Sequence, residues 1–144
     1  MLQAMASGVP AVVRWQAEVE DTVKSTRAIT NAFGLRRTFF GMIDNDAIRE
    51  ATAFNPQSTV GQLMNFALER IYHESGLMHE LDLLLQIHDA CIGQSAIDDV
   101  QRHTEVVGKL MNISLTIKGR ELTIPSDIEV GRSWGELKKP SWEA

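Results

Sequence analysis

Leu81 to Gln94 reads LDLLLQIHDACIGQ. Leu81, Leu83, Leu85 and Ile87 alternate with Asp82, Leu84, Gln86 and His88, so one face is apolar and the other mixed. Period two over so short a run predicts a strand with at least one buried face. His88-Asp89 interrupts the run and Ala90-Cys91-Ile92-Gly93 resumes it, which predicts strand, tight turn, strand, with a carboxylate at the tip. An aspartate in a turn commonly bonds its own backbone as an Asx turn. From this stretch alone an ordinary turn residue outweighs a catalytic carboxylate. The surrounding sequence changes that balance.

Outward from the hairpin, composition sets the frame. The chain has 144 residues, 44% of them apolar and 23% charged, which predicts one soluble globular domain over residues 1–144. No apolar run is long enough to span a bilayer. The opening MLQAMASGVP has neither a basic n-region nor an apolar h-region, so no secretory signal is expected. Cys91 is the single cysteine, which excludes an internal disulfide and fits a reducing compartment. Set in an apolar run, it reads as a small core residue. The net charge is -5, and neither half of the chain is basic: residues 1–57 carry six basic and six acidic side chains, residues 58–144 eight and thirteen. Composition therefore gives no support to nucleic-acid binding.

Before the hairpin, Pro10 suits a first helical turn, and Val12, Trp15, Val19 and Val23 share a helical face running to about Ala28. Thr30–Phe40 places Gly34 between two short aromatic and β-branched stretches, a small hairpin with Arg36 and Arg37 just past its turn. Adjacent arginines in such a place are more often solvated than ligand-binding. Asp44 or Asp46 can cap a short helix that Pro56 ends, because the residue before proline avoids the α region. Thr59 and Gln62 then have capping-box spacing. Val60, Leu63, Met64, Ala67, Leu68 and Ile71 form the apolar stripe of a second, stronger helix, and Gly76 marks its end region.

After the hairpin, Ser95 and Asp98 again have capping-box-like spacing, before a helix to about Met111. Ile113, Leu115 and Ile117 alternate as a strand, Lys118-Gly119-Arg120 turns, and Leu122 and Ile124 return. Ile128 and Val130 extend a tail whose last residues, from Pro140, are expected to be loose. His73, His79, His88 and His103 show no i, i+4 pairing and have no cysteine partners, which argues against zinc. No GxSxG, P-loop or GxGxxG occurs.

Three stretches taken together resemble one family: REATAFNPQSTVGQL from Arg49, LLLQIHDACIG from Leu83, and IPSDIEVGRSWGELK from Ile124. They look like the C-terminal end of a family A (polymerase I type) DNA polymerase, nearest its phage-like members. PAVVRWQAEVEDTV and FGLRRTFFG are similar to the segment that follows the fingers helix. HD alone is a weak signal. Arg49, Gln57 eight residues later, a long helix and then QIHD in an apolar hairpin is a much more specific one.

The resemblance implies an α+β fold: a small antiparallel palm sheet with the hairpin of the motif usually called C, packed on two or three helices. It implies DNA-directed DNA synthesis by two-metal nucleotidyl transfer, with Mg2+ as the ion and primer–template DNA and deoxynucleoside triphosphates as partners. Asp89 matches the metal-binding carboxylate, and His88 matches its catalytic neighbour near the primer terminus. Arg49 and Gln57 match residues that touch primer–template, where a glutamine amide can test minor-groove acceptors common to every base pair.

There are departures. Ala90 stands where many members have glutamate, and Ala53 where asparagine often lies. The motif carrying the first metal-binding aspartate and the nucleotide-binding fingers helix are absent from the 144 residues. The chain is therefore expected to supply half of a metal site and to be inactive alone. It would work with an N-terminal polymerase fragment in the cytoplasm of a bacterial or phage-infected cell, with no membrane partner. The alternative is a truncated, non-catalytic DNA-binding or structural remnant of such a polymerase.

Overall fold

The computed structural model describes residues 9–74, 77 and 79–140. Gly76, the expected helix-end marker, lies outside these residues, as do residues 1–8 and 141–144. The fold is α+β. Its elements are α1 (Pro10–Thr26), β1 (Ala28–Thr30), β2 (Arg36–Thr38), α2 (Asn45–His73), β3 (Leu81–Ile87), β4 (Ala90–Ser95), α3 (Val100–Met111), β5 (Ser114–Ile117) and β6 (Arg120–Thr123), followed by a 3-10 turn at Trp134–Glu136. The described strands form three separate antiparallel pairs, β1-β2, β3-β4 and β5-β6. The chain divides into two compact units, residues 1–62 and 63–144.

In the first unit, Pro10 opens α1, where its missing N–H would have had no partner. The expected face is buried at Val19 and Val23, half-buried at Trp15 and open at Val12. Arg27 closes the helix in the left-handed region (φ 56°), and its N–H bonds the Val23 carbonyl. Val19, Val23, Ile29, Phe39 and Ala51 form the core, with Trp15, Ile43, Ala47 and Phe54 packed against it.

Asn31 organises the loop of the first hairpin. This buried amide accepts from the N–H groups of Phe33 (3.0 Å) and Leu35 (2.9 Å). It donates to Gln62 Oε1 (2.7 Å) and Ser58 Oγ (3.0 Å) on α2. Gln62 is thus bonded to a loop rather than closing a capping box with Thr59. Thr59 lies inside the helix, its hydroxyl donating to the Asn55 carbonyl at 2.7 Å.

Two expected helices are one. Asp44 caps the start, as the sequence suggests, accepting from the N–H groups of Asp46 (3.1 Å) and Ala47 (2.9 Å). Pro56 does not end the helix; it lies inside α2, a run of 29 residues. Proline inside a helix costs about 3 kcal/mol through a lost N–H bond and a clash with the preceding turn. Burial on both sides offsets it: Ala51 before, and Leu63, Met64, Ala67 and Ile71 after, are all buried.

In the second unit, β5 and β6 meet through Lys118 (φ 49°) and Gly119 (φ 77°). Two successive left-handed residues make the turn whose twist matches the strands. Of the end expected to be loose, only Pro140 is described, and residues 141–144 lie outside the described residues. Val130 and Lys138 exchange two backbone hydrogen bonds (2.9 and 3.1 Å), and Pro140 is buried. Gly131 allows this return: a Cβ there would lie 2.7 Å from the Glu136 carbonyl oxygen.

Candidate nucleic-acid and metal site

The central hairpin forms as its sequence suggests. β3 and β4 pair antiparallel, Ile87 faces Ala90, and His88 and Asp89 make the two-residue tip. His88 adopts φ 54°. Two-residue hairpins need left-handed backbone, and histidine visits that region more readily than most side chains.

The strict alternation does not survive. The register shifts between Leu83, opposite Gly93, and Leu85, opposite Ile92, leaving Leu84 as the extra residue of a bulge. Nor is a full face buried. Leu81 is half-buried, but Leu84 is 58% exposed and Leu85 47%. Leu83 and Ile87 are also open to solvent. The second strand of this pair gives β3 one neighbour, and among the described residues nothing pairs with its outer edge. An apolar recess of about 440 Å³ runs between Leu83–Gln86 and the last turns of α2, where Leu68, Glu69, Tyr72 and His73 line it.

The tip is open. His88 and Asp89 are both exposed, and among the described residues neither side chain makes a hydrogen bond or ion pair. The expected Asx bond of Asp89 to its own backbone is not formed, which leaves the carboxylate available to a ligand. Other acids are far along the chain. The pairing from Ala90 to Ser95 separates Asp89 from Asp98 and Asp99 by roughly 17 Å of strand. Among the described residues no group of three His, Cys, Asp or Glu side chains is placed to hold a metal ion. One carboxylate by itself would leave Mg2+ largely hydrated.

Arg49 and Gln57 belong to the first unit, on α2. Eight residues put them about 12 Å apart along the axis and about 80° apart around it, so they are on adjoining faces. Both are exposed. Arg49 is engaged with Asp46, one turn earlier, in an exposed ion pair of the kind that contributes little to stability. Gln57 lies immediately after Pro56, at the point where the helix lacks an N–H.

The two adjacent arginines diverge. Arg36 is exposed, whereas Arg37 pairs with Glu50 and lies over the rings of Phe39 (5.3 Å) and Phe54 (5.8 Å). Next to them, Phe40 (90% exposed) and Met42 (84%) flank Gly41, whose carbonyl accepts from Arg27.

One cluster escaped the sequence reading. Ser95 does not cap α3; its hydroxyl lies 2.6 Å from His103 Nδ1 and donates to the Ala96 carbonyl at 3.0 Å. Asp99 takes the cap position, without a side-chain bond to the helix N–H groups. His103 is only 2% exposed. Its Nε2 is 2.9 Å from Arg102 Nη2 and 3.4 Å from Glu80 Oε2, and Arg102 is paired with Glu80. The hydrogen bond from Arg102, then the one from His103, holds the Glu80 carboxyl below the ordinary glutamate range. Burial pushes the Cys91 thiol up, in keeping with a packing role. Ser95 and His103 are eight residues apart across a strand end and a helix, a spacing with no periodic signature.

Among the described residues no helix is long and apolar enough to cross a membrane. No family model matches the chain. Over 82 residues, 56% of the chain, it is 27% identical to the DNA polymerase I of Borreliella burgdorferi, and the aligned part is 9% of that protein's length. The chain is thus distantly similar to a short part of a DNA polymerase I.

Proposed function

We propose that this chain is the C-terminal palm segment of a family A, phage-like DNA polymerase, contributing one metal-binding aspartate and primer–template contacts to DNA synthesis. The observation that carries the proposal is Asp89: an exposed, unengaged carboxylate at the tip of a paired apolar hairpin, in a chain similar to a DNA polymerase I. Paired strands hold the tip in place, while its exposure lets it reach a ligand. His88, beside it, would face the primer terminus. Arg49 and Gln57 would lie against the primer–template, the first as a cation for phosphate and the second as a donor to minor-groove acceptors.

The described residues do not by themselves fit a two-ion magnesium site, because they present one carboxylate at the tip. The remaining ligands would come from an N-terminal polymerase fragment, and with them the deoxynucleoside triphosphate site. The net charge of -5 fits this division, in which DNA contact by the chain is local and most of the cationic cleft lies elsewhere.

The test is primer extension by the chain mixed with a polymerase fragment bearing the first aspartate motif and the fingers helix. Asp89→Asn preserves size and removes charge. Extension is expected to fall by about a thousandfold or more, while DNA binding persists. Near-normal extension by that variant would remove Asp89 from the metal site. DNA binding without any extension by the wild-type mixture would favour the non-catalytic remnant.

A further inference from the structure

The charge of the whole chain hides a local excess in the first unit. Residues 22–43 carry Lys24, Arg27, Arg36 and Arg37 and no acidic side chain, in a chain whose net charge is -5. Phe39 and Phe40 stand just beyond the last two arginines. The β1–β2 hairpin sorts these residues onto two faces. Arg37 and Phe39 turn to the core side, where Arg37 pairs with Glu50 and Phe39 is buried. Arg36, Thr38 and Phe40 are exposed. The Phe39 N–H bonds the Arg27 carbonyl at 2.8 Å, so the ladder, and with it the alternation, reaches past Thr38.

The open face is positively charged and held in place. Among the described residues Arg36 makes no ion pair. The acids that follow the hairpin are engaged: Asp44 caps α2, Asp46 pairs with Arg49, and Glu50 pairs with Arg37. Arg27 donates to the Gly41 carbonyl, a neutral acceptor that leaves its charge uncancelled. The same bond pins the turn at Gly41, whose φ of 88° suits glycine. Phe40 stands immediately before this turn, with 90% of its surface open. A ring left in water yet fixed in position is a pre-organised contact.

We propose that the exposed face of the β1–β2 hairpin binds single-stranded DNA, with Phe40 stacking on a base and Arg36 meeting a phosphate. The proposal rests on the polymerase reading only in naming DNA as the strand. Arg36 and Phe40 are four residues apart, roughly 13 Å along the strand. A phosphate and an unstacked base a few nucleotides away meet both at once. Thr38, between them, offers a hydroxyl to the sugar–phosphate backbone. Such a surface suits a single strand, since a duplex keeps its base faces stacked inside. It reads no sequence, because every base has a π face.

Met42, 84% exposed, widens the apolar end of this face beyond Gly41. An apolar pocket on another protein would also take Phe40 and Met42. Covering Arg36 beside them without an acid is costly, however. A phosphate supplies the missing charge and accepts the guanidinium hydrogen bonds. The combination of cation, hydroxyl and ring on one strand therefore favours a nucleic-acid strand over a protein pocket.

The experiment uses the whole chain. Fluorescence anisotropy measures its binding to a labelled oligothymidine at several salt concentrations, beside an abasic strand and a duplex of the same length. The wild type is expected to bind the oligothymidine more tightly than either. Phe40→Ala should weaken that binding by about 5- to 150-fold, the worth of one stacked base, while Phe40→Trp retains it. Neither should change binding to the abasic strand. Arg36→Gln should weaken binding to both single strands alike and lower the slope of log affinity against log salt by about 0.7. No binding of oligothymidine by the wild type, a preference for the duplex, Phe40→Ala that binds as the wild type does, or an unchanged salt slope in Arg36→Gln would each overturn the proposal. If Phe40→Ala does not fold, the wild-type comparison decides alone, and equal affinity for the oligothymidine and the abasic strand overturns it. Primer extension is not read, so this assignment and that of Asp89 can fail separately.

Discussion

Asn31 shows how much a single buried amide can hold. It donates two hydrogen bonds to α2 and accepts two from the loop it begins. Asn31→Ala removes all four, two of them to the half-buried Ser58 and Gln62 of α2. Each such bond contributes about 0.5–1.5 kcal/mol net, and thermal denaturation should show a loss of about 1–3 kcal/mol. Gln57→Ala gives the opposite pattern. Its side chain is exposed, so melting should hardly change, whereas extension by the mixed enzyme should slow and lose fidelity. A clear drop in melting temperature with unchanged fidelity would make Gln57 a brace of the helix.

Glu80 adds a pH dependence with a definite sign. A carboxyl whose folded pKa is depressed contributes stability above its unfolded value, and that contribution is lost as pH falls through the folded one. Acid titration below the ordinary glutamate range should therefore weaken the wild type, and Glu80→Gln should lose that component of the slope. None of these side chains was marked in the sequence as a hub. Asparagine in a turn and serine before a helix have strong local readings, and the local reading hides the distant partner. The turn at His88 and Asp89 was legible because two apolar runs with a polar break between them leave few other places for it.

At the level of elements, what has a period was legible. The α1 face, both halves of α2, α3 and the three hairpins follow from spacing and from turn residues such as Gly34 and Lys118-Gly119. Pro56 was misleading for a physical reason: the local rule against helix before proline is real, but tertiary burial on both sides outweighs it. Replacing it tests that balance. Pro56→Ala restores an N–H to the interior of α2 and should raise stability by about 1–3 kcal/mol, read from denaturant unfolding. A loss instead would mean that the helix needs a bend at this point. The bulge at Leu84 was equally hidden, because one extra leucine in a leucine-rich strand leaves no mark on composition while shifting which side chains share a face.

Over the whole molecule, the sequence conveyed the class of fold, but it overstated how much of the hairpin is covered. Leu83, Leu84, Leu85 and Ile87 remain accessible along an edge strand. Edges of this kind associate unless something blunts them. The purified chain should therefore sediment as self-associated species, and mixing with the complementary polymerase fragment should both reduce that association and produce template-dependent extension in Mg2+. By itself the chain should extend no primer. Robust extension by the chain alone, abolished by Asp89→Asn, would require a second carboxylate near the tip.

The same strand has a consequence inside a cell. Chaperones and quality-control proteases select clients by short extended segments that are rich in leucine and poor in charge. Most proteins display such segments only while unfolded. Here Leu83, Leu84, Leu85 and Ile87 stay 36–58% exposed on a folded strand, so that signal persists for as long as the outer edge of the strand is bare.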